Sequence, residues 1–283
     1  MHISLLKAVV FVGAAIGLSI AAGPVVGVLA GATGASSVPV WIYAAVVSTL
    51  LLPATALAFR WDGGGLRNLG LTSSRHRVGE LALGFAVGSG LFALLAGVRG
   101  ASVGAVWTFT GMNAPGVAGS LVVALLLLLP EELLFRGYAF QRLVHAIGTW
   151  PGILISAALF GVYHVVGSGM WGMGAFFQAA MPALGGIVFG WTAVRTKGLA
   201  LPIGLHLGGN WVTAAVFTFR PHSEGAPTAV WTAYVTGIQQ RSLYAPDLGA
   251  HAPFIAMMFL AIMTLHVVLP RLERKQNRVP QTV

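Results

Sequence analysis

Long apolar runs separated by short polar segments divide almost the whole chain. A helix needs about 20 mostly apolar residues to cross the hydrocarbon core of a bilayer. Runs of roughly this length predict helices at 7–30, 39–59, 78–98, 117–140, 151–168, 173–194, 198–218 and 252–270. The pattern therefore predicts an all-α, polytopic membrane protein of about eight transmembrane helices, with residues 1–283 forming a single transmembrane domain.

The composition is also that of a membrane protein. Charged residues make up 8% of the 283 residues and hydrophobic residues 57%, with a mean hydropathy of +0.84. Soluble domains carry about 25% charged residues, so these few charges cannot cover a water-exposed surface of this size. The sequence contains no cysteine, which excludes disulfides, thiolate metal ligands and a cysteine nucleophile.

The basic residues predict how the chain is oriented in the membrane. If the N-terminus is cytoplasmic, all of the 16 Lys and Arg fall in cytoplasmic segments except Arg99, Arg220 and Arg241. This bias follows the positive-inside rule. It predicts a multi-pass protein of the cell membrane with both termini cytoplasmic. The basic residues behind the net charge of +9 are then expected to interact with lipid headgroups of the bilayer. Nucleic acid is not an expected partner.

Ionisable residues inside apolar helices are the candidates for function, because each costs at least about 2.5 kcal/mol to insert. Glu132 and Arg136 are spaced i, i+4 on the predicted fourth helix and are expected to form an ion pair. Glu131 lies about 100° away around the helix and has no local cation. We therefore expect its partners to come from other helices.

Two further helices carry polar candidates. His164 lies in the predicted fifth helix, and His206 and Asn210 lie one turn apart in the seventh. A carboxylate near an imidazole can take a proton from water, and an imidazole with a carboxamide can donate to a developing oxyanion. The set predicts a hydrolase with a polar catalytic cavity within the bundle. His266 lacks a polar companion at helical spacing and is interpreted as structural or interfacial.

Two other functions use the same residues. Glu131, His164 and His206 are also the ligand types of a catalytic zinc site, although the HExxH spacing of common zinc proteases is absent. A non-enzymatic transporter or chaperone is the third hypothesis, because intramembrane Glu and His also serve proton relays. The sequence lacks the inverted repeats expected of many transporters.

Three short motifs resemble those of the CPBP family, also called the ABI family. These are intramembrane glutamic endopeptidases that include the type II CAAX prenyl proteases. Residues 131–138, EELLFRGY, are similar to the family's EExxxR signature; Phe160 and His164 match FxxxH, and His206 and Asn210 match HxxxN. The motifs occur in the family's order on separate predicted helices.

The resemblance implies a role for each matched residue. Glu131 is implied to activate water, and His164 to assist it. His206 and Asn210 are implied to form an oxyanion hole. The reaction implied is peptide-bond hydrolysis without a cofactor, with zinc as the alternative stated above.

The resemblance also implies supporting residues and a kind of substrate. Arg136 is implied to hold Glu132, and Phe160 belongs to the second motif. The resemblance covers roughly residues 117–216, which are taken as the catalytic core. The expected substrate is a membrane-associated protein or peptide, processed in a CAAX-type or another maturation reaction.

Overall fold

Helices dominate the computed structural model, which describes residues 2–33, 39–166, 168–221, 229–243 and 245–276. The helices are α1 (His2–Thr33), α2 (Val40–Trp61), α3 (Arg75–Ser102), α4 (Ala114–Phe135), α5 (Tyr138–Ile147), α6 (Thr149–Tyr163), α7 (Gly172–Thr196), α8 (Ala200–Trp211), α9 (Gly237–Leu243) and α10 (Leu248–Gln276). A 3-10 turn at Leu66–Leu69 follows α2, and a π-helical turn at Val212–Val216 follows α8. The strands are β1 (Trp107–Phe109), β2 (Phe217–Pro221) and β3 (Trp231–Val235).

The prediction of an all-α polytopic membrane protein is confirmed. Among the described residues, six helical segments are long and apolar enough to cross a membrane: α1, α2, α3, Ala114–Ile147, α7 and α10. The predicted fifth and seventh spans correspond to α6 and α8, which have 15 and 12 residues. Both are shorter than the roughly 20 residues of a full span, so neither α6 nor α8 could cross a bilayer alone.

The predicted fourth helix, 117–140, is divided into α4 and α5. The break occurs at Gly137, where an added Cβ would lie 2.1 Å from the carbonyl oxygen of Leu133. Only glycine permits so close an approach of backbone to backbone. The resulting turn leaves Arg136 1% exposed in the interior of the bundle.

A three-stranded sheet covers one end of the bundle, which we call the sheet end. The strand order is β1-β3-β2, with β1 antiparallel to β3 and β2 parallel to β3. Between the predicted seventh and eighth helices, the described residues 229–243 contain β3 and α9. The opposite end, which holds residues 60–77 and Lys197, is called the basic end.

Close packing of α3 on α8 sets the position of the site. Gly84 and Gly88 on α3 face α8, and Gly204 and Gly208 on α8 face α3. A Cβ at any of the four would lie 2.2 to 2.4 Å from a carbonyl oxygen of the other helix. Small residues four apart let two membrane helices approach until their backbones touch. These contacts fix how far α8 is shifted along α3. They lie on either side of His206, so they also fix the position of this histidine.

Asp62 joins three helices at the basic end. Its carboxylate accepts hydrogen bonds from Lys7 of α1 and from the Tyr138 hydroxyl of α5 at 2.9 Å. Arg142 of α5 forms an ion pair with it at 3.3 Å. The Lys7 ammonium, followed by Tyr138 and Arg142, lowers the pKa of the Asp62 carboxyl. This network holds α1 against the turn that follows Arg136.

Candidate active site

Residues from the second and third predicted motifs line one cavity of about 200 Å³. Phe160 and His164 line it from α6 and the residue after it, and His206 and Asn210 line it from α8. The rest of the lining is mostly apolar and comes from α3, α7, α8 and α10. Glu131 of α4 is not among the lining residues, but its Oε2 lies 3.8 Å from Nε2 of His206, which is.

His206 lies between the two glutamates. Its Nδ1 is 2.9 Å from Oε1 of Glu132, while its Nε2 faces Glu131 at 3.8 Å. Because an ionised carboxylate only accepts hydrogen bonds, Nδ1 carries the hydrogen and donates it to Glu132. The Nε2 atom is left for Glu131 or for a bound substrate. The contact between His206 and Glu132 was not predicted from the sequence.

Glu132 and Arg136 form the ion pair that their spacing predicts. Nη1 of Arg136 is 3.3 Å from Oε1 of Glu132, and the two side chains are 1% and 0% exposed. The guanidinium also lies over the rings of Phe160, at 4.2 Å, and Phe189, at 5.2 Å. Such cation–π contacts stabilise a desolvated cation. Glu132 is thus held by Arg136 on one side and by His206 on the other.

Phe160 and Phe189 organise the rings of the site. Phe189 of α7 stacks on His206 at 4.9 Å with 19° between the planes. Phe160 meets His206 edge-on at 6.1 Å and His164 at 4.6 Å. The sequence predicted Phe160 through its motif. It missed Phe189, which is one apolar residue among many in α7 and carries no polar signal.

His164 caps the C-terminal end of α6. Its Nδ1 is 2.8 Å from the carbonyl oxygen of Phe160, and a carbonyl only accepts, so Nδ1 carries the hydrogen. Nε2 is then the acceptor in the neutral ring. His164 also interacts electrostatically with Glu131. By contrast, His266 is exposed on α10 and does not line this cavity.

Asn210 lies at the C-terminal end of α8, where the next residue is anchored to α4. The indole nitrogen of Trp211 donates to the carbonyl oxygen of Val117 at 3.1 Å. This bond joins the end of α8 to the start of α4, the helix that carries both glutamates. Two hydrogen bonds, from His206 to Glu132 and from Trp211 to Val117, therefore fix the position of α8, and with it Asn210, relative to the carboxylates of α4.

The alternative zinc site has no assembled ligand set in the described part of the chain. No group of three or more His, Asp or Glu side chains there is arranged to hold a metal ion. Nδ1 of His206 and Nδ1 of His164 are both engaged in hydrogen bonds. A zinc ion bound by Glu131 and these histidines would have to use Nε2 of both rings. Metal independence stays a prediction.

Comparison with known families agrees with the motifs. Residues 113–212 match the family described as type II CAAX prenyl endopeptidase Rce1-like. The match starts at Asn113, whose side chain caps α4, and ends directly after α8. It confirms the resemblance to the CPBP and CAAX protease family over the segment that holds all three motifs. No curated protein and no solved structure matches the chain.

Proposed function

We propose that the chain is an intramembrane endopeptidase that hydrolyses a peptide bond with water activated by Glu131. The observation that carries the proposal is the position of His206, which reaches both glutamates at 2.9 and 3.8 Å beside a cavity. His164 and Asn210 line the same cavity. The family match to residues 113–212 supports a CAAX-type intramembrane protease in general.

The two glutamates have different environments and therefore different roles. Glu132 is 0% exposed and is held by Arg136 and His206, so it is unsuited to moving protons. The Glu131 side chain is 19% exposed and approaches His206 at a distance longer than a direct hydrogen bond. A general base must be reachable by water and free to change its protonation state. Glu131 meets both requirements.

The reaction then follows from ordinary acid–base chemistry. Glu131 takes a proton from water, and the hydroxide oxygen attacks the scissile carbonyl carbon. The negative charge that develops on the carbonyl oxygen is stabilised by donors from His206 and Asn210. Collapse of the tetrahedral intermediate breaks the C–N bond, and Glu131 returns the proton to the leaving amine.

Donation to the oxyanion requires a protonated His206. Its Nδ1 hydrogen is already given to Glu132, so Nε2 can donate only when the ring is an imidazolium. In that state, the two carboxylates are balanced by His206 and Arg136, and the four groups carry no net charge. A neutral cluster avoids the cost of an uncompensated charge in the membrane interior.

The cavity indicates the kind of substrate. Leu91 of α3, Val188 of α7 and Met258 of α10 are among its apolar lining, so the group bound next to the scissile bond is expected to be apolar. A membrane-associated protein or a lipid-linked peptide provides such a group. Transport through the same cavity is the competing function, and it requires no bond cleavage.

The first test identifies a substrate and removes the base. Proteomes of strains carrying the wild type and Glu131→Gln are compared for a protein that stays unprocessed, and its cleavage is reconstituted with purified enzyme. General-base removal is expected to lower the rate by about 10²- to 10⁴-fold. Cleavage at the wild-type rate by Glu131→Gln would contradict the proposal.

Two controls separate the base from folding and from metal. Glu80→Gln removes another buried carboxylate, which pairs with Arg77 at the basic end, and is expected to keep cleavage activity. Dialysis against a strong chelator is expected to leave the wild-type rate unchanged. Loss of activity that zinc restores would favour the zinc protease instead.

A further inference from the structure

Phe92 of α3 lines two separate cavities. The first is the active-site cavity of about 200 Å³. The second, of about 130 Å³, lies toward the sheet end and is lined by Phe92 together with Leu95, Ala96, Arg99, Thr213 and Phe217–Phe219. Phe92 therefore lines both the active-site cavity and a second cavity that has no role in the proposed reaction.

The ring of Phe92 packs against the backbone of the third motif at Gly209. Gly209 lies between His206 and Asn210, and a Cβ there would be 2.7 Å from the Phe92 ring. Phe254 of α10 packs edge-on against the other part of the ring at 6.2 Å. The ring therefore packs against the α8 backbone one residue before Asn210. It closes the active-site cavity at the side where the oxyanion donors lie.

The second cavity differs in chemistry from the first. Arg99 and two threonines, Thr213 and Thr218, contribute to its lining, whereas the lining of the active-site cavity is mostly apolar apart from the motif residues. Arg99 also donates to the carbonyl oxygen of Leu243, the last residue of α9. A space that contains a guanidinium and hydroxyls suits a polar or anionic group rather than an alkyl chain.

From this arrangement, and resting on the proposed endopeptidase function, we propose that Phe92 is a specificity-determining residue. Its ring limits the size of the substrate residue bound beside Asn210 and separates that residue from the cavity containing Arg99. A shorter side chain at position 92 joins the two cavities. The joined space accepts a bulky or acidic residue that the wild type excludes.

The spacing along α3 supports a continuous route. Leu95 and Ala96 lie three and four residues after Phe92, and Arg99 lies four and three residues after them, so the four residues share one helix face. The face runs from the active-site cavity to the sheet end, with the aromatic ring between the two spaces. Removing the ring opens this face without changing any residue of the three motifs.

Cleavage specificity tests the proposal directly. Peptides based on a sequence that the wild type cleaves carry Ala, Leu, Trp or Glu on either side of the scissile bond. Phe92→Ala is expected to raise kcat/KM for the Trp or Glu peptides, relative to the Ala peptide, by about tenfold, a typical effect of reshaping a pocket. The control is Leu91→Ala, because Leu91 lines the active-site cavity alone, and it is expected to leave the Glu/Ala ratio unchanged. An unchanged ratio in Phe92→Ala would overturn the proposal.

Thiol labelling provides a test that needs no cleavage. The chain has no cysteine, so Met181→Cys, whose parent residue lines the active-site cavity, gives a single reporter. In detergent, Phe92→Ala is expected to speed the reaction of this thiol with an anionic methanethiosulfonate by roughly tenfold. The anionic reagent is expected to react faster than a cationic one, because the route to the thiol passes Arg99. Leu95→Ala, which enlarges the second cavity alone, is the matched control.

The two readouts keep the proposals distinguishable. If the wild type and every variant cleave no peptide, the endopeptidase function fails, while faster anionic labelling in Phe92→Ala still shows that the ring separates the cavities. Unchanged labelling in folded Phe92→Ala would refute that separation. Phe92→Leu is the milder variant, to be used if the alanine variant loses its thermal transition.

Discussion

At the scale of single residues, adjacent glutamates in one membrane helix have opposite surroundings. Helical geometry alone separates them, because neighbouring residues point about 100° apart, and the pairing of Glu132 with Arg136 follows from their spacing. The bond from His206 to Glu132 does not follow from spacing. It depends on how α8 packs beside α4, so Glu132 has a second partner that the sequence could not indicate.

Glu132→Gln is expected to destabilise the fold far more than Glu131→Gln. Removing one partner of a buried ion pair leaves an uncompensated charge and typically costs about 3–5 kcal/mol, and Arg136 is 1% exposed. The partly exposed Glu131 is expected to cost less than about 1 kcal/mol, as most substitutions outside such networks do. Unfolding in detergent, followed by tryptophan fluorescence, measures both values.

Matched stability losses in these two variants would contradict the division of roles. Arg136→Met is the control that completes the comparison, because it removes the cation instead of the anion. Combined with Glu132→Gln, it is expected to recover part of the lost stability, since replacing both members of a buried pair by neutral groups of similar volume is often nearly neutral.

The candidate site residues could be predicted because charge is rare in this chain. With 8% charged residues, each Glu or His within an apolar run is conspicuous, and Glu131, His164 and His206 all lie near the cavity. Phe189 and Phe92 are equally close to the chemistry. They have no such signal, because an aromatic residue in a membrane helix is indistinguishable from a lipid-facing one until its neighbours are known.

At the scale of elements, apolar length predicted where helices occur but not where they end. The predicted seventh span, 198–218, contains α8, the π-helical turn and the start of β2. Each part is apolar, so hydropathy does not separate them. The sheet was missed for a related reason: WTF and WTAYV are rich in aromatic and threonine residues that favour strands, but β1 pairs with β3 far along the chain.

The α3–α8 glycine interface gives a prediction at this scale. Gly204→Ala would place a Cβ 2.2 Å from the carbonyl oxygen of Leu81, so α8 must move away from α3. Overpacking of this kind costs about 1–3 kcal/mol. A shift near 1 Å of His206 and Asn210 is expected to lower catalysis by roughly 10²-fold.

Gly90→Ala, on the partner helix α3, is the matched control. An added Cβ at Gly90 meets no atom within 4 Å, and alanine favours a helix over glycine by about 0.5–1 kcal/mol. It is expected to raise the thermal midpoint slightly and to keep full activity, both measured beside Gly204→Ala. Equal behaviour of the two variants would show that the close approach of α3 and α8 does not position the site.

At the scale of the whole molecule, an ion pair is buried in the bundle while many large apolar side chains face outward. Glu132 and Arg136 are nearly inaccessible, whereas Leu57, Leu154 and Phe259 are more than half exposed. In water this surface would be an aggregation hazard, but in a bilayer it faces acyl chains. The short helices α6 and α8 bring their C-terminal ends, and with them the partly buried His164 and Asn210, to the active-site cavity.

The orientation of this bundle is the remaining whole-molecule prediction, and α3 offers a matched pair of positions to test it. Ser73 lies just before α3 at the basic end and Ser102 lies at its other end, and both are exposed. Because the chain has no cysteine, Ser73→Cys and Ser102→Cys each introduce a single thiol. The positive-inside rule places the basic end in the cytoplasm.

In intact cells, a membrane-impermeant maleimide is therefore expected to label Ser102→Cys and to leave Ser73→Cys unlabelled until the membrane is broken. A green fluorescent protein fused after residue 283 is expected to fluoresce, because the C-terminus is predicted to lie on the same side as Ser73. Labelling of Ser73→Cys alone in intact cells would invert the topology. The geometry of the catalytic cluster would be unaffected by that result.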